Sequence, residues 1–347
     1  LTVSGTANLI ATGNQVQLTN ATNSIGCLIL SSSQVDLNTN GVLSLGSVNT
    51  VTLTVAGNGS LTQQAGTNLV ITGTANFSLG GNVTLNNATN QFSGPIIATG
   101  NFVTIYGNGS MNLTSVTAND LLLTANNGNI TQTGRVKVRN INTAYLTAIN
   151  GNIILNNTTN DFVGGIYANA TNNIELYNSN ATILGNISST NFQMVSAGGG
   201  ITQVSGTNIV VSGLSNFAAS GNTITVNQTT NDFGTLTAVG TDIVIVDNNA
   251  LTLGSITGNG TVSITAQNLT MLSTVNATLG GSVILTPTSG VTVDLGTASS
   301  GNFGLTPANI NNITGGTLTI GSSVGGPVVS SANIDRTNAT LGTNLTL

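Results

Sequence analysis

The chain has 347 residues, enough for two ordinary domains, but only 4% of them are charged, against about a quarter in an average soluble protein. A net charge of −5 with four basic residues excludes nucleic acid as a general partner, and the absence of His removes the commonest metal ligand. With 39% hydrophobic residues and a mean hydropathy of +0.29, the chain is too apolar for disorder.

The chain opens inside a repeating unit, since Gly5-Thr6-Ala7-Asn8 matches Gly73-Thr74-Ala75-Asn76. No initiator Met, basic n-region or apolar signal segment precedes it, so the reading is a fragment or processed part of a longer protein, with any targeting signal outside it. The single cysteine, Cys27, reads as a buried thiol. Short apolar/polar alternations follow in order: Val16/Leu18, Val51/Leu53/Val55, Val83/Leu85, Val103/Ile105, Ile153/Leu155, Ile224/Val226, Ile243/Ile245 and Val262/Ile264. Period two with β-branched residues predicts strands with one buried face. Gly and Asn interrupt every window long enough for a helical stripe, so no long helix is expected, and no apolar run approaches the roughly 20 residues of a transmembrane helix.

These strands belong to a block of about 70 residues. Gly13-Asn14 returns as Gly81-Asn82, Gly151-Asn152 and Gly221-Asn222. The run from Asn86 to Gly94 returns as Asn156 to Gly164 and, loosened, as Asn227 to Gly234, while Leu61-Thr62-Gln63 returns as Ile130-Thr131-Gln132 and Ile201-Thr202-Gln203. Two landmarks keeping one period predict a stacked array. Anchors near residues 83, 103, 121, 136 and 153 divide the block into about four turns of 17 to 18 residues, with three turns of about 23 as the other division. The expected fold is all-β: a right-handed parallel β-helix of about 15 to 20 coils, with Val, Ile and Leu stacked inside, Gly and Asn at corners and Thr outside. Phe92, Phe162 and Phe233, and likewise Leu9, Phe77 and Phe217, are equivalent and read as core. Four superrepeats occupy residues 1–280. Residues 281–347 carry Pro287, Pro307 and Pro327 and read as a diverged continuation or a distinct strand-rich module.

The run Gly81 to Gly94, its copy Gly151 to Gly164, the run Gly128 to Gln132 and the segment Asn249 to Gly254 resemble the repeats of filamentous-haemagglutinin-like surface proteins over roughly residues 1–280. The resemblance implies a right-handed β-helical fibre exported by a two-partner or autotransporter route, located outside the cell or on its surface. It implies adhesion and biofilm contacts, with host or neighbouring cell-surface glycans or proteins as partners; the ends of the array show no polar, charged or helical cap, so a self-assembling filament subunit that stacks end to end on other copies of itself is the alternative expectation. Contact with an outer membrane would come only through parts outside this chain.

The rival reading is a polysaccharide-cleaving β-helix enzyme, which needs paired carboxylates in a cleft. The acids Asp36, Asp120, Asp161, Glu175, Asp232, Asp242, Asp247, Asp294 and Asp335 are scattered. Asp161 and Asp232 hold equivalent positions and read as turn residues, and Asp242 and Asp247 flank one strand. No catalytic, cofactor or metal residues are assigned: the glycines Gly198-Gly199-Gly200 lead into Ile201-Thr202 without the acid of a calcium-binding β-roll, and no helix follows any glycine run to cradle phosphate. Arg135, Lys137 and Arg139 alternate with Val136 and Val138 and should share one face of one strand, either as a surface stripe with Asp120 neutralising Lys137 from one coil away, or as a contact patch for an acidic glycan or a neighbouring subunit. Twenty Asn-x-Ser/Thr sites occur, close to what the composition alone supplies.

Overall fold

The computed structural model describes residues 1–139, 143–297, 301–321, 323, 325–334 and 344–347. It forms two compact units, Leu1–Asn178 and Ser179–Leu347.

The first unit is a parallel β-solenoid. Alternation along each strand turns one side chain in two inward, and parallel pairing in register brings inward residues of successive turns into columns. One column runs Leu43, Leu61, Val83, Val103, Leu121, Ala144, Ile166. A second runs Leu37, Val55, Phe77, Ala98, Val116, Val136. A third contains Met111, Ile130, Ile153 and Ile174. All these side chains are buried. Outward positions of the same strands hold Thr62, Thr84 and Thr104, stacked in the same register. A β-branched polar residue suits a pleated surface facing water.

The turns are uneven. Partners on adjacent turns lie from 17 residues apart, at Leu28 and Leu45, to 24 apart, at Val138 and Phe162. Neither even division of the 70-residue block describes them. Three turns carry the chain from Val83 through Val103 and Leu121 to Ala144. Ile153, the sequence equivalent of Val83, lies nine residues further on and in the third column rather than the first. One sequence repeat is therefore three turns plus part of a fourth, and it returns on the next face. The longer turns also reduce their number, to about 13 among the described residues, below the 15 to 20 expected.

The second unit repeats the design. Ile201, Ile224, Ile243, Val262, Val283 and Leu318 form one buried column, and Met194, Phe217, Ala238, Ile256, Val275 and Ile313 another. Phe217 packs edge to face on Phe192 and Phe233, with ring centroids 5.6 and 6.0 Å apart. The step from Val283 to Leu318 spans 35 residues, because an excursion carries the strands Val293–Leu295 and Phe303–Leu305, which form a separate parallel sheet with Val328–Ser330 from beyond Leu318. It also contains the helix Pro307–Asn311, whose first turn tolerates Pro307 and whose capping box pairs Thr306 with Asn309. The expected core aromatics Phe92, Phe162, Phe233, Phe77 and Phe217 are buried, as is Cys27. Leu9, in the first turn, is only half-buried.

Candidate functional site

The two sequence landmarks meet in space. Gln63, Gln132 and Gln203 each face an asparagine 27 or 28 residues ahead: Asn90, Asn160 and Asn231. The glutamine Nε2 donates to the asparagine Oδ1 at 2.7, 2.8 and 2.7 Å, and the asparagine Nδ2 donates back to the glutamine Oε1 at 2.8, 2.8 and 2.9 Å. Each asparagine Oδ1 also accepts a backbone N–H, from Leu69, Val136 or Ile209, at 2.9 Å. Each Nδ2 reaches the backbone carbonyl that lies five residues earlier: Leu85, Leu155 or Val226. The three asparagines are wholly buried. A buried primary amide is costly unless its donors and acceptor are met, and this arrangement meets them while closing a corner between turns.

A related position caps, from inside, the phenylalanine in copies of the Asn86–Gly94 run. Asn178 accepts the Phe162 N–H at 2.9 Å and returns a bond to the Phe162 carbonyl at 3.0 Å. Asp247 accepts the Phe233 N–H at 2.8 Å and the Asn249 N–H at 3.1 Å. The Asp247 carboxyl is pushed above its ordinary value of 3.8, first by burial and further by the charge of Asp232, while its bonds from the Phe233 and Asn249 N–H groups oppose the rise. Asp242 lies at the other end of the strand Ile243–Val246 and accepts the Thr261 N–H at 2.6 Å. The two acids flank the strand as the sequence indicates, but each is bonded to a different stretch of backbone, and they do not form a carboxylate pair.

The basic strand is organised differently from the expectation. Val136 and Val138 are buried and Arg135, Lys137 and Arg139 lie between and beside them on the outer side. Arg135 and Lys137 both pair with Asp161, at 2.9 and 2.8 Å. Asp120, expected to neutralise Lys137, instead accepts the Thr143 N–H at 3.1 Å. The reason is turn length: Lys137 is in register with Asp161, 24 residues later, so the neighbouring turn ahead supplies the acid. Asp161 is thus a buried ion-pair acceptor rather than a simple turn residue, and Asp232 accepts from Asn249 Nδ2 at 3.1 Å. Arg139 is exposed. Asp335 lies outside the described residues. Among the described residues no three of His, Cys, Asp and Glu are grouped to hold a metal ion.

The register and the clasps define a parallel β-solenoid repeat protein. A family model described as repeats of unknown function, DUF5649, matches residues 1–31, 32–99, 100–169 and 171–240, and the chain belongs to that family. No curated protein matches the chain. No solved structure matches it either.

Proposed function

We propose that the chain is a noncatalytic structural and adhesive segment of an extracellular surface fibre, of the filamentous-haemagglutinin-like kind, that mediates attachment to cells or biofilm contacts. The observation that carries this reading is the amide clasp: it recurs with every complete repeat and is spent on joining one turn to the next. The ionisable groups are used in the same way, with Asp161 holding two cations and Asp247 capping a strand. An array built so can be lengthened by adding repeats, because each turn is stabilised chiefly by its neighbours. Arg135, Lys137 and Arg139 offer a basic patch through which acidic cell-surface glycans would be held. The test is retention of beads coated with the chain on cell monolayers and on biofilm, with and without soluble acidic polysaccharide. Retention no greater than that of beads coated with an unrelated β-solenoid overturns the adhesive role, and measured polysaccharide cleavage that is lost on changing Asp242 or Asp247 overturns the noncatalytic one.

A second reading is a filament subunit joining other copies end to end, since turns that pair in parallel with their neighbours can pair in the same way with a turn of another copy. Sedimentation of the native chain over a range of concentrations separates the readings, since only the filament grows with concentration.

A further inference from the structure

We infer that the protein carries two sites of spontaneous backbone-assisted deamidation, at Asn40-Gly41 and Asn108-Gly109, and that the solenoid shields four chemically identical dipeptides from the same reaction. Asn-Gly occurs six times, at residues 40, 58, 108, 127, 150 and 259, and all six asparagines are exposed. The chemistry needs only the chain and water. The glycine backbone nitrogen attacks the asparagine Cγ, the new C–N bond closes a succinimide, and Nδ2 leaves as ammonia with the proton that the glycine nitrogen gives up. Water then opens either imide carbonyl, leaving aspartate or isoaspartate. Glycine in second place matters because it has no Cβ to obstruct the approach.

Exposure of the asparagine does not separate the six dipeptides, whereas that of the glycine does: Gly41 and Gly109 are exposed and the other four are not. What also separates them is the state of the attacking nitrogen and the space around it. The N–H groups of Gly59, Gly128 and Gly260 are bonded to the carbonyls of Thr39, Ile149 and Thr241, at 3.2, 3.2 and 2.9 Å. Gly59, Gly128, Gly151 and Gly260 are also pressed against a neighbouring turn, so that a Cβ added there would collide with Gly41, Ser110, Gly128 or Asp242 respectively. Gly41 and Gly109 differ from Gly59, Gly128 and Gly260 on both counts, and from Gly151 in the space around the glycine. Among the described residues neither N–H has a hydrogen-bond partner, and a Cβ on either would meet nothing within 4 Å. Gly109 further lines an open cleft of about 360 Å³ with Gln91, Phe92, Ser93, Asn108 and Ser110.

The environment of Asn108 also assists the attack. Asn108, Asn127 and Asn150 form an outward ladder in which Asn127 Nδ2 donates to Asn108 Oδ1 at 3.1 Å and Asn150 Nδ2 to Asn127 Oδ1 at 3.3 Å. A donor on Asn108 Oδ1 draws electron density from Cγ and is placed to stabilise the negative charge that oxygen gains during attack. The product carboxylate still accepts from Asn127, so the ladder survives conversion to aspartate, whereas isoaspartate adds a methylene to the main chain at that corner.

The experiment is peptide mapping by mass spectrometry of the native chain after timed incubation at mildly alkaline pH, in parallel with the chain unfolded in urea. In the native chain Asn40 and Asn108 should convert, and the other four at least about tenfold more slowly because each needs local opening first. In urea the six rates should converge. Equal rates in the native chain, or any of the four shielded sites reacting as fast as Asn108, overturns the inference. Gly109→Ala fits the space at that corner, so it should leave the melting temperature unchanged and suppress conversion of Asn108. Undiminished loss at Asn108 in that variant shows that the glycine nitrogen is not the attacking group and overturns it equally.

Discussion

Single side chains decide how tightly one turn of this protein is held to the next. Asn90 meets Gln63, the Leu69 N–H and the Leu85 carbonyl with one amide, and Asn90→Ala takes this partner from the buried Leu69 N–H and Leu85 carbonyl and removes two bonds from the half-buried Gln63. At about 1–3 kcal/mol for each unsatisfied buried group, partly relieved by entering water, a loss of about 2–4 kcal/mol is expected in urea unfolding. Asp247 behaves in the opposite sense. Its folded value lies above 3.8, so the folded chain holds this proton at a pH where the unfolded chain has released it. The stability that protonation contributes is full below the unfolded value, and it is lost as pH rises through the folded one. At about pH 7 the buried charge is a net cost. Asp247→Asn, which installs the residue that serves at Asn178, should therefore raise the melting temperature at neutral pH and remove the gain in stability that the native chain shows on acidification. A lower neutral-pH melting temperature for that variant would show that the two N–H bonds require the carboxylate.

At the scale of elements, the strand Val136–Val138 shows how an outer face is built. Its two cations converge on Asp161, whose side chain is only 10% exposed, so the acid cannot be rehydrated when a partner is lost. Asp161→Ala leaves Arg135 and Lys137, 45% and 30% exposed, adjacent and uncompensated. We expect a loss of about 1–2 kcal/mol, because the cations remain partly solvated. Arg135→Ala alone should cost less than about 1 kcal/mol, since Lys137 still neutralises the acid. A thermal or denaturant double-mutant cycle over Arg135 and Asp161 measures the pair, and a coupling energy that does not decline in high salt would contradict an electrostatic origin.

Over the whole molecule, stability should be distributed turn by turn. In a stack of this kind a local defect weakens its own turn and its immediate neighbours. Asn90→Ala should therefore speed amide exchange along Leu69–Ile71 and Val83–Leu85, while the strands Ala144–Ala148 and Gly165–Ala170, further along the same unit, keep their native protection. Uniform acceleration throughout Leu1–Asn178 would instead mean that this unit opens as one cooperative body.

Local chemistry in the sequence was enough to determine the class of fold. Alternating Val, Ile and Leu with Gly and Asn between them permits strands and no long helix, a constant period requires them to stack, and scarce charge allows the stack to be parallel without rows of like ions. The clasp was half legible: Gln63 and Asn90, Gln132 and Asn160, and Gln203 and Asn231 stood out as separate landmarks, and their nearly constant separation was the available sign that they touch. The tertiary structure alone decided the length of each turn, because bulges and corners of different size alter the count without disturbing the alternation. That count moves Ile153 to another column from Val83 and gives Lys137 to Asp161 instead of Asp120. Which of six identical Asn-Gly corners stands open was beyond the sequence for the same reason, since the shielding atoms belong to a neighbouring turn about twenty residues away and only the register brings them there.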